Sequence, residues 1–319
     1  MSKLKLLVYL MIIEVEVDLP YNLDLTMKPS FLSSLYHKEG SWWVKIAGFL
    51  AGSLKLKQEG RKFVAKCLKE LDRNLLFEEV MFESGLWSKP FEDMVGILTS
   101  SIRSSIEFLV EQFPGVRLAV SPRDFKCIFI GAVLSKRTRY DVFVKNWVRR
   151  IWLKFKCNFE VIASAHPSEL SAIGSSYQIY DLKRTLKSYL KIHGEVSSNL
   201  PTAIFRRKLM MCWGVGPKIA DATILFTRCD PSVIPIDAHL LRAVNYFNWA
   251  ENFKLPVKSL CLKYACNSDE SLILNAPVCP LSLENLCLRE RLRKIFNGLG
   301  GWVQTLTYLA GGKIRGWIG

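Results

Sequence analysis

The 319-residue chain has no apolar run long enough to cross a bilayer. "KLKLLVYLMII" near its start is apolar for only about eight residues before Glu14, against the roughly 20 that a spanning helix needs. No small-residue cleavage site follows, and "IIEVEVDL" then alternates apolar and acidic residues like a strand. These absences point to an intracellular protein with no membrane partner, in the cytoplasm and nucleoid or in a nucleus. Low-complexity tracts and internal repeats are also missing, which excludes a solenoid. Acidic residues are few: 29 Asp and Glu face 44 Lys and Arg, a net charge of +15. No block of five or more like charges holds that surplus in a tail, so it is spread over folded surface. A globular chain this basic suits a polyanionic partner, nucleic acid first. The nine cysteines are odd in number and irregular in spacing, so they form no disulfide framework.

Half of the residues are apolar, enough for a substantial core. In residues 1–112 the signals are largely those of short antiparallel strands. Ile13, Val15 and Val17 alternate with Glu14, Glu16 and Asp18, and "SWWVKI" and "RKFVAK" are further candidates. Helical spacing sets in near residue 78, and "FPGVRLAVSP" (113–122) reads as a linker. Beyond it "RDFKCIFIGAVLS", "RYDVFVKNWVRRIWLKF", "LKRTLKSYLKIH" and "AIFRRKLMMCW" repeat apolar residues at helical spacing. The expected class is α+β: an antiparallel N-terminal domain (1–112) and a mainly helical domain (113–319), in a monomer.

"CWGVGPKIADATILF" (212–226) places a lysine one residue past the proline that opens a helix. A cation there opposes the helix dipole. Gly214, Val215 and Gly216 form a tight hairpin between two helices, leaving backbone N–H groups free to hold a phosphate. Nineteen residues after Lys218, "VIPIDAHLLRAV" puts Asp237 at the N-cap of another helix. A lysine inclined to be neutral is a Schiff-base nucleophile. A carboxylate beside it steadies an oxocarbenium-like sugar, so the pair suits attack on C1′ of a nucleotide with loss of its base.

With these residues in place, the chain resembles the helix-hairpin-helix (HhH-GPD) superfamily of DNA base-excision glycosylases, and within it the bifunctional 8-oxoguanine DNA glycosylase/AP lyase branch. "GVGPKIAD…VIPIDAH" is similar to its hairpin and Gly/Pro…Asp signature. "FPGVRL…FKCIFIGAVLS" resembles the segment entering its helical domain, and "GGWVQTLTYL" its base-pocket helix. The resemblance implies that Lys218 and Asp237 are catalytic. It implies that Gln304 and Tyr308 bind the base, the first by its pyrimidine edge and the second by stacking. It also places His239 and the loop "SKRTR" (135–139), including Lys136 and Arg137, against double-stranded damaged DNA. No cofactor is implied for catalysis. The chain departs from that branch in three places. "KPSFLSSLY" (28–36) lacks the glycine that reads N7–H of 8-oxoguanine, Ala222 stands where a cysteine is common, and "SKRTR" replaces an asparagine-rich loop.

Cys261, Cys266, Cys279 and Cys287 follow C-x4-C-x12-C-x7-C in an insertion at 261–287, without a C-x2-C knuckle. Four thiolates suit structural zinc or an iron–sulfur cluster; disulfides and unbonded thiols are the alternatives. For the whole chain two other readings stand beside the bifunctional enzyme. A non-catalytic DNA-binding module needs neither Lys218 nor Asp237. A monofunctional glycosylase for alkylated bases does not usually carry lysine in the hairpin.

Overall fold

The structure, a computed structural model, describes residues 10–193, 200–311 and 313. It is α+β. Five strands form one antiparallel sheet in the order β1-β5-β4-β3-β2: β1 Met11–Glu16, β2 Tyr36–Glu39, β3 Trp42–Lys45, β4 Leu54–Glu59 and β5 Lys62–Cys67. The alternation at the chain start sets the register, with Ile13 opposite Ala65 and Val15 opposite Phe63. Ile13 and Val17 are buried while Glu14 and Glu16 face solvent. Residues one apart on a strand point to opposite faces, so a one-residue slip would bury those carboxylates.

A short helix, Leu23–Met27, already follows β1, and the helix expected from near residue 78 begins earlier, at Arg73. Asp72 supplies the start by accepting the Leu75 N–H at 2.9 Å, and Gly85 ends the helix at φ +77°. The stretch 113–122 is irregular, as its Pro and Gly suggest, but it is no solvent-exposed linker. Val116, Leu118 and Val120 are fully buried. Its backbone finds partners on both sides: Trp302 Nε1 donates to the Val116 carbonyl at 2.9 Å and Trp87 Nε1 to that of Leu118 at 2.7 Å. The Ser121 N–H donates to the Phe226 carbonyl at 2.8 Å. Such partners are what permit an irregular segment to be buried. One cluster of buried apolar side chains consequently runs from Ile13 to Ala310, through both sides of residue 112.

A buried ionic cluster pins the sheet to the helices. Lys45 of β3 is wholly buried, with Nζ 2.8 Å from Asp124 Oδ2 and 3.6 Å from Glu79 Oε1, and it also pairs with Glu83. Three carboxylates hold this lysine protonated against the pull of burial. With more carboxylates than the ammonium neutralises, burial and Glu83 push the Glu79 carboxyl up to about 8.

Candidate active site

The hairpin forms where the sequence places it. Helix Thr202–Met211 ends at Cys212, Gly214 turns the chain at φ +71°, and helix Pro217–Thr227 opens from Gly216. A buried fork keeps the two helices together: Arg206 Nε and Nη2 donate to Asp221 Oδ1 and Oδ2 at 2.6 and 3.1 Å. Arg289 Nε, from helix Leu288–Phe296, lies 3.3 Å from the same carboxylate. Gly214 suits its left-handed φ of +71°, and a Cβ there would fit tightly, 3.1 Å from Lys136 Nζ and 3.3 Å from Thr185 Oγ1. Around Gly216 a Cβ would meet nothing within 4 Å, so this face is open. Val215 differs from expectation. Its side chain is fully buried and its N–H is turned to the Cys212 carbonyl at 3.3 Å, so it anchors the turn from inside. The groups presented outward are the unpaired N–H groups that a helix start leaves after Gly216. Lys136 lies over the Trp213 ring, 5.6 Å from its centroid, and Arg184 covers the same ring at 4.0 Å. Burial pushes the Lys136 ammonium below the usual lysine range.

Lys218 and Asp237 line the same cavity, of about 810 Å³. Asp237 caps helix Ala238–Tyr246, with Oδ1 accepting the N–H groups of His239 and Leu240 at 2.9 and 2.8 Å. Its Oδ2 accepts from Gln304 Nε2 at 2.9 Å. Lys218 Nζ donates to Ser135 Oγ at 2.8 Å and sits over the Phe31 ring, 5.6 Å from its centroid. Burial pushes the Lys218 ammonium below its ordinary range, and the charge of Asp237 only partly opposes this. The lysine is thus disposed to lose its proton, and the Asp237 carboxylate lines the same cavity.

The remaining expected pocket residues are brought to the same place. Helix Gly300–Ala310 carries Gln304, which is buried, and Tyr308 on the cavity wall. The Tyr308 hydroxyl donates to Asp141 Oδ2 at 3.2 Å, and its ring lies 4.7 Å from that of His239. His239 Nδ1 is 2.9 Å from Arg242 Nη2, and burial lowers the affinity of the imidazole for a proton. Arg137 is exposed at the cavity rim with φ +51°.

Lining residues to which the sequence assigns no individual role include Phe31, Ser135, Tyr140 and Asp141, although Phe31 lies within "KPSFLSSLY" and Ser135 opens the loop "SKRTR". Phe31, Tyr140 and Phe226 form an aromatic wall, with ring centroids 4.9 and 5.4 Å from that of Phe31. Ser135 follows helix Phe125–Leu134 and Phe31 follows Lys28-Pro29, so only contact across the fold reveals their roles.

The four cysteines of the insertion are not gathered as a ligand set. No three of their sulfur atoms share a space within 4.8 Å. Cys266 Sγ accepts from Arg289 Nη1 at 3.3 Å, and burial pushes the Cys266 thiol up to about 12. As placed here, the four thiols form no assembled ligand set for zinc or an iron–sulfur cluster. Instead the insertion closes through paired backbone groups, Cys279 N–H to the Ala265 carbonyl at 2.8 Å among them. Among the described residues no helix is long and apolar enough to cross a membrane.

No family model matches the chain, and no curated protein matches it in sequence. Solved structures do match it. MBOgg1 in complex with a low-affinity DNA ligand is 16% identical and covers 96% of each chain at a TM-score of 0.67. The Clostridium acetobutylicum 8-oxoguanine glycosylase/lyase, in complex with double-stranded DNA containing cytosine opposite 8-oxoguanine, is also 16% identical. It covers 95% of this chain and 98% of its own at a TM-score of 0.63. The 3-methyladenine DNA glycosylase from Archaeoglobus fulgidus is 15% identical, covering 94% and 98% at 0.63. At such identities the likeness is one of architecture, and it extends over nearly the whole chain: the protein has the α+β helix-hairpin-helix fold that these DNA glycosylases share.

Proposed function

We propose that the protein is a base-excision DNA glycosylase with AP lyase activity, removing 8-oxoguanine or a related oxidised purine from double-stranded DNA. The observation that carries this reading is Lys218, held toward its neutral form in a cavity that it shares with the helix-capping carboxylate of Asp237. The Lys218 amine attacks C1′ of a flipped nucleotide as the bond to the base breaks. Asp237 stabilises the positive charge that develops on the sugar. The adduct loses a proton from its nitrogen and its C1′–O4′ bond opens, O4′ taking up a proton. The Schiff base so formed between Lys218 and C1′ acidifies a C2′ proton, whose transfer to water or to the departed base expels the 3′ phosphate by β-elimination. No metal or cofactor takes part, and the chain acts as a monomer.

The hairpin face at Gly216, with Lys136 and Arg137 nearby, holds the DNA backbone. Each phosphate contact contributes a slope of roughly −0.9 in log K against log salt, so binding falls steeply with ionic strength. The cavity falls in the size range of small-molecule sites, about 300–1,000 Å³, and has room for an extruded base. Phe31 and Tyr308 supply ring faces there, and Gln304 a donor and an acceptor for a purine edge. Lys28 and Pro29 line the cavity where the related branch has its N7-reading glycine, so discrimination between 8-oxoguanine and guanine is weaker than in that branch.

The test is a panel of duplexes carrying 8-oxoguanine, other oxidised or alkylated bases, or a preformed abasic site, followed on denaturing gels. Strand cutting at 8-oxoguanine with a β-elimination end supports the reading. Base release that needs added alkali to cut the strand indicates a monofunctional enzyme, and no release from any duplex indicates a binding module.

A further inference from the structure

Cys127 and Cys157 lie far from the cavity that holds Lys218, and neither belongs to the insertion at 261–287. Cys127 sits in the first turn of helix Phe125–Leu134. Cys157 comes just after the end of helix Lys145–Phe155. Their sulfur atoms are 2.6 Å apart across 30 residues of chain, closer than two unbonded sulfurs settle. Only 3% and 1% of the two residues is exposed.

The backbone makes this approach at some strain. Lys156 and Cys157 both adopt the left-handed region, at φ +50° and +52°, which side-chain-bearing residues seldom occupy and rarely in succession. Two left-handed residues turn the chain at the helix end and carry Cys157 back onto the start of the neighbouring helix. The sulfur of Cys157 beside it, together with burial, hinders ionisation of Cys127, which stays protonated in the reduced pair.

The buried pair nonetheless borders a cavity. Both cysteines line a second cavity, of about 460 Å³, whose rim includes the exposed Lys69, Lys126 and Lys156. Three ammonium groups favour the entry of an anionic reagent. A carboxylate-bearing low-molecular-weight disulfide fits that charge.

We propose that Cys127 and Cys157 form an intramolecular disulfide, a redox-dependent staple across the base of this helix pair. One thiol loses its proton to water and attacks a sulfur of R–S–S–R, releasing R–SH and leaving a mixed disulfide on the protein. The second thiol, also deprotonated, attacks the protein sulfur of that mixed disulfide and releases the second R–SH. The protein dithiol is oxidised by two electrons, and the small disulfide is reduced to two thiols. The staple acts at one end of a helix pair whose other end carries Ser135, Tyr140 and Asp141 into the cavity of Lys218. Its formation therefore also stiffens the wall of that cavity.

The experiment uses the full chain, reduced and then exposed to glutathione disulfide, with the free thiols alkylated after denaturation. Trypsin places Cys127 alone in peptide 127–136 and Cys157 alone in peptide 157–183. The expected result is the loss of two of the nine thiols and a non-reduced mass equal to these two peptides joined. The melting temperature should rise by several degrees on oxidation, as closing a 30-residue loop predicts. Cys157→Ser should melt alike with and without oxidant. Nine alkylated thiols after oxidation, or cross-links confined to Cys261, Cys266, Cys279 and Cys287, would overturn the proposal. The wild-type peptide map decides the matter even where the serine variant does not fold.

Discussion

Lys218 Nζ lies 2.8 Å from Ser135 Oγ, and the same hydroxyl lies 2.7 Å from the Ala132 carbonyl. A hydroxyl has one proton to give. Donated to Ala132, it leaves only a lone pair facing Lys218, so the lysine is the donor and its amine is fixed in direction. A serine that ends one helix thereby orients the nucleophile that opens another.

Ser135→Ala should slow Schiff-base formation roughly tenfold, the equivalent of one lost hydrogen bond of about 1.4 kcal/mol. It should leave duplex affinity unchanged. The bond is stronger from the ammonium than from the amine, so losing it lowers the Lys218 pKa further. The acid limb of the pH–rate profile should move to lower pH, and Ser135→Thr should restore both rate and profile. A slower variant with an unmoved profile would reduce Ser135 to a packing role.

Gln304 gives an amide hydrogen to Asp237 Oδ2 at 2.9 Å, so it orients the carboxylate as well as facing the cavity. Gln304→Ala should reduce cutting of a preformed abasic site through Asp237 alone. Excision of 8-oxoguanine should fall further, because the base then loses its reader too. Parallel kinetics on the two substrates measure the difference. Undiminished abasic-site cutting would mean that the bond to Asp237 has no part in the chemistry.

The buried cluster around Lys45 predicts a stability that falls with rising pH. Glu79 has its pKa raised from 4.5 to about 8, so between these values the folded protein keeps a proton that the unfolded chain has released. With more protons bound in the native state, the free energy of unfolding decreases as pH rises through that window. Melting temperatures from about pH 5 to pH 8 should decline, and Glu79→Gln, uncharged throughout, should flatten the decline. An unchanged slope in that variant would place the titration elsewhere.

Asp221 takes two bonds from Arg206 and lies beside Arg289, all three residues buried. Asp221→Asn leaves Arg206 without its charge partner and Arg289 with only Glu270, 3.9 Å away. Loss of one partner of such a group costs about 3–5 kcal/mol. Denaturant unfolding should show that drop, with the hairpin helices losing protection from hydrogen exchange. A change under about 1 kcal/mol would show that water reaches the cluster and that the fork does not fix the hairpin.

Much of this molecule is local enough to be read from the chain. The alternation of Ile13, Val15 and Val17 gives a strand because side chains on a strand alternate faces, whatever it pairs with. Pro217 after Gly-Val-Gly, and Asp237 ahead of an amphipathic helix, mark helix starts through backbone chemistry of the same few residues. What escaped depends on distant partners. Residues 113–122 look like a linker because their composition says irregular, yet the indoles of Trp87 and Trp302 allow them to be buried. Lys45 in "SWWVKI" resembles any outward lysine until Glu79, Glu83 and Asp124 are brought around it from other elements. Val215 falls within the hairpin motif, but its apolar side chain turns inward while the neighbouring glycines keep the outer face clear. The cysteines at 261–287 suggest a metal through their clustering in the chain, but whether four sulfurs converge depends on the fold of the insertion; here they lie apart and an arginine donates to one of them.

The central claim is that Lys218 is the nucleophile, and borohydride trapping tests it most directly. The full chain is incubated with an 8-oxoguanine duplex, reduced with borohydride, digested, and the DNA-linked peptide sequenced by mass spectrometry. The account predicts a covalent complex whose attachment maps to Lys218, lost in Lys218→Gln while that variant still binds duplex DNA. A complex that forms undiminished in Lys218→Gln, or that maps to another amine such as Lys136, would contradict it.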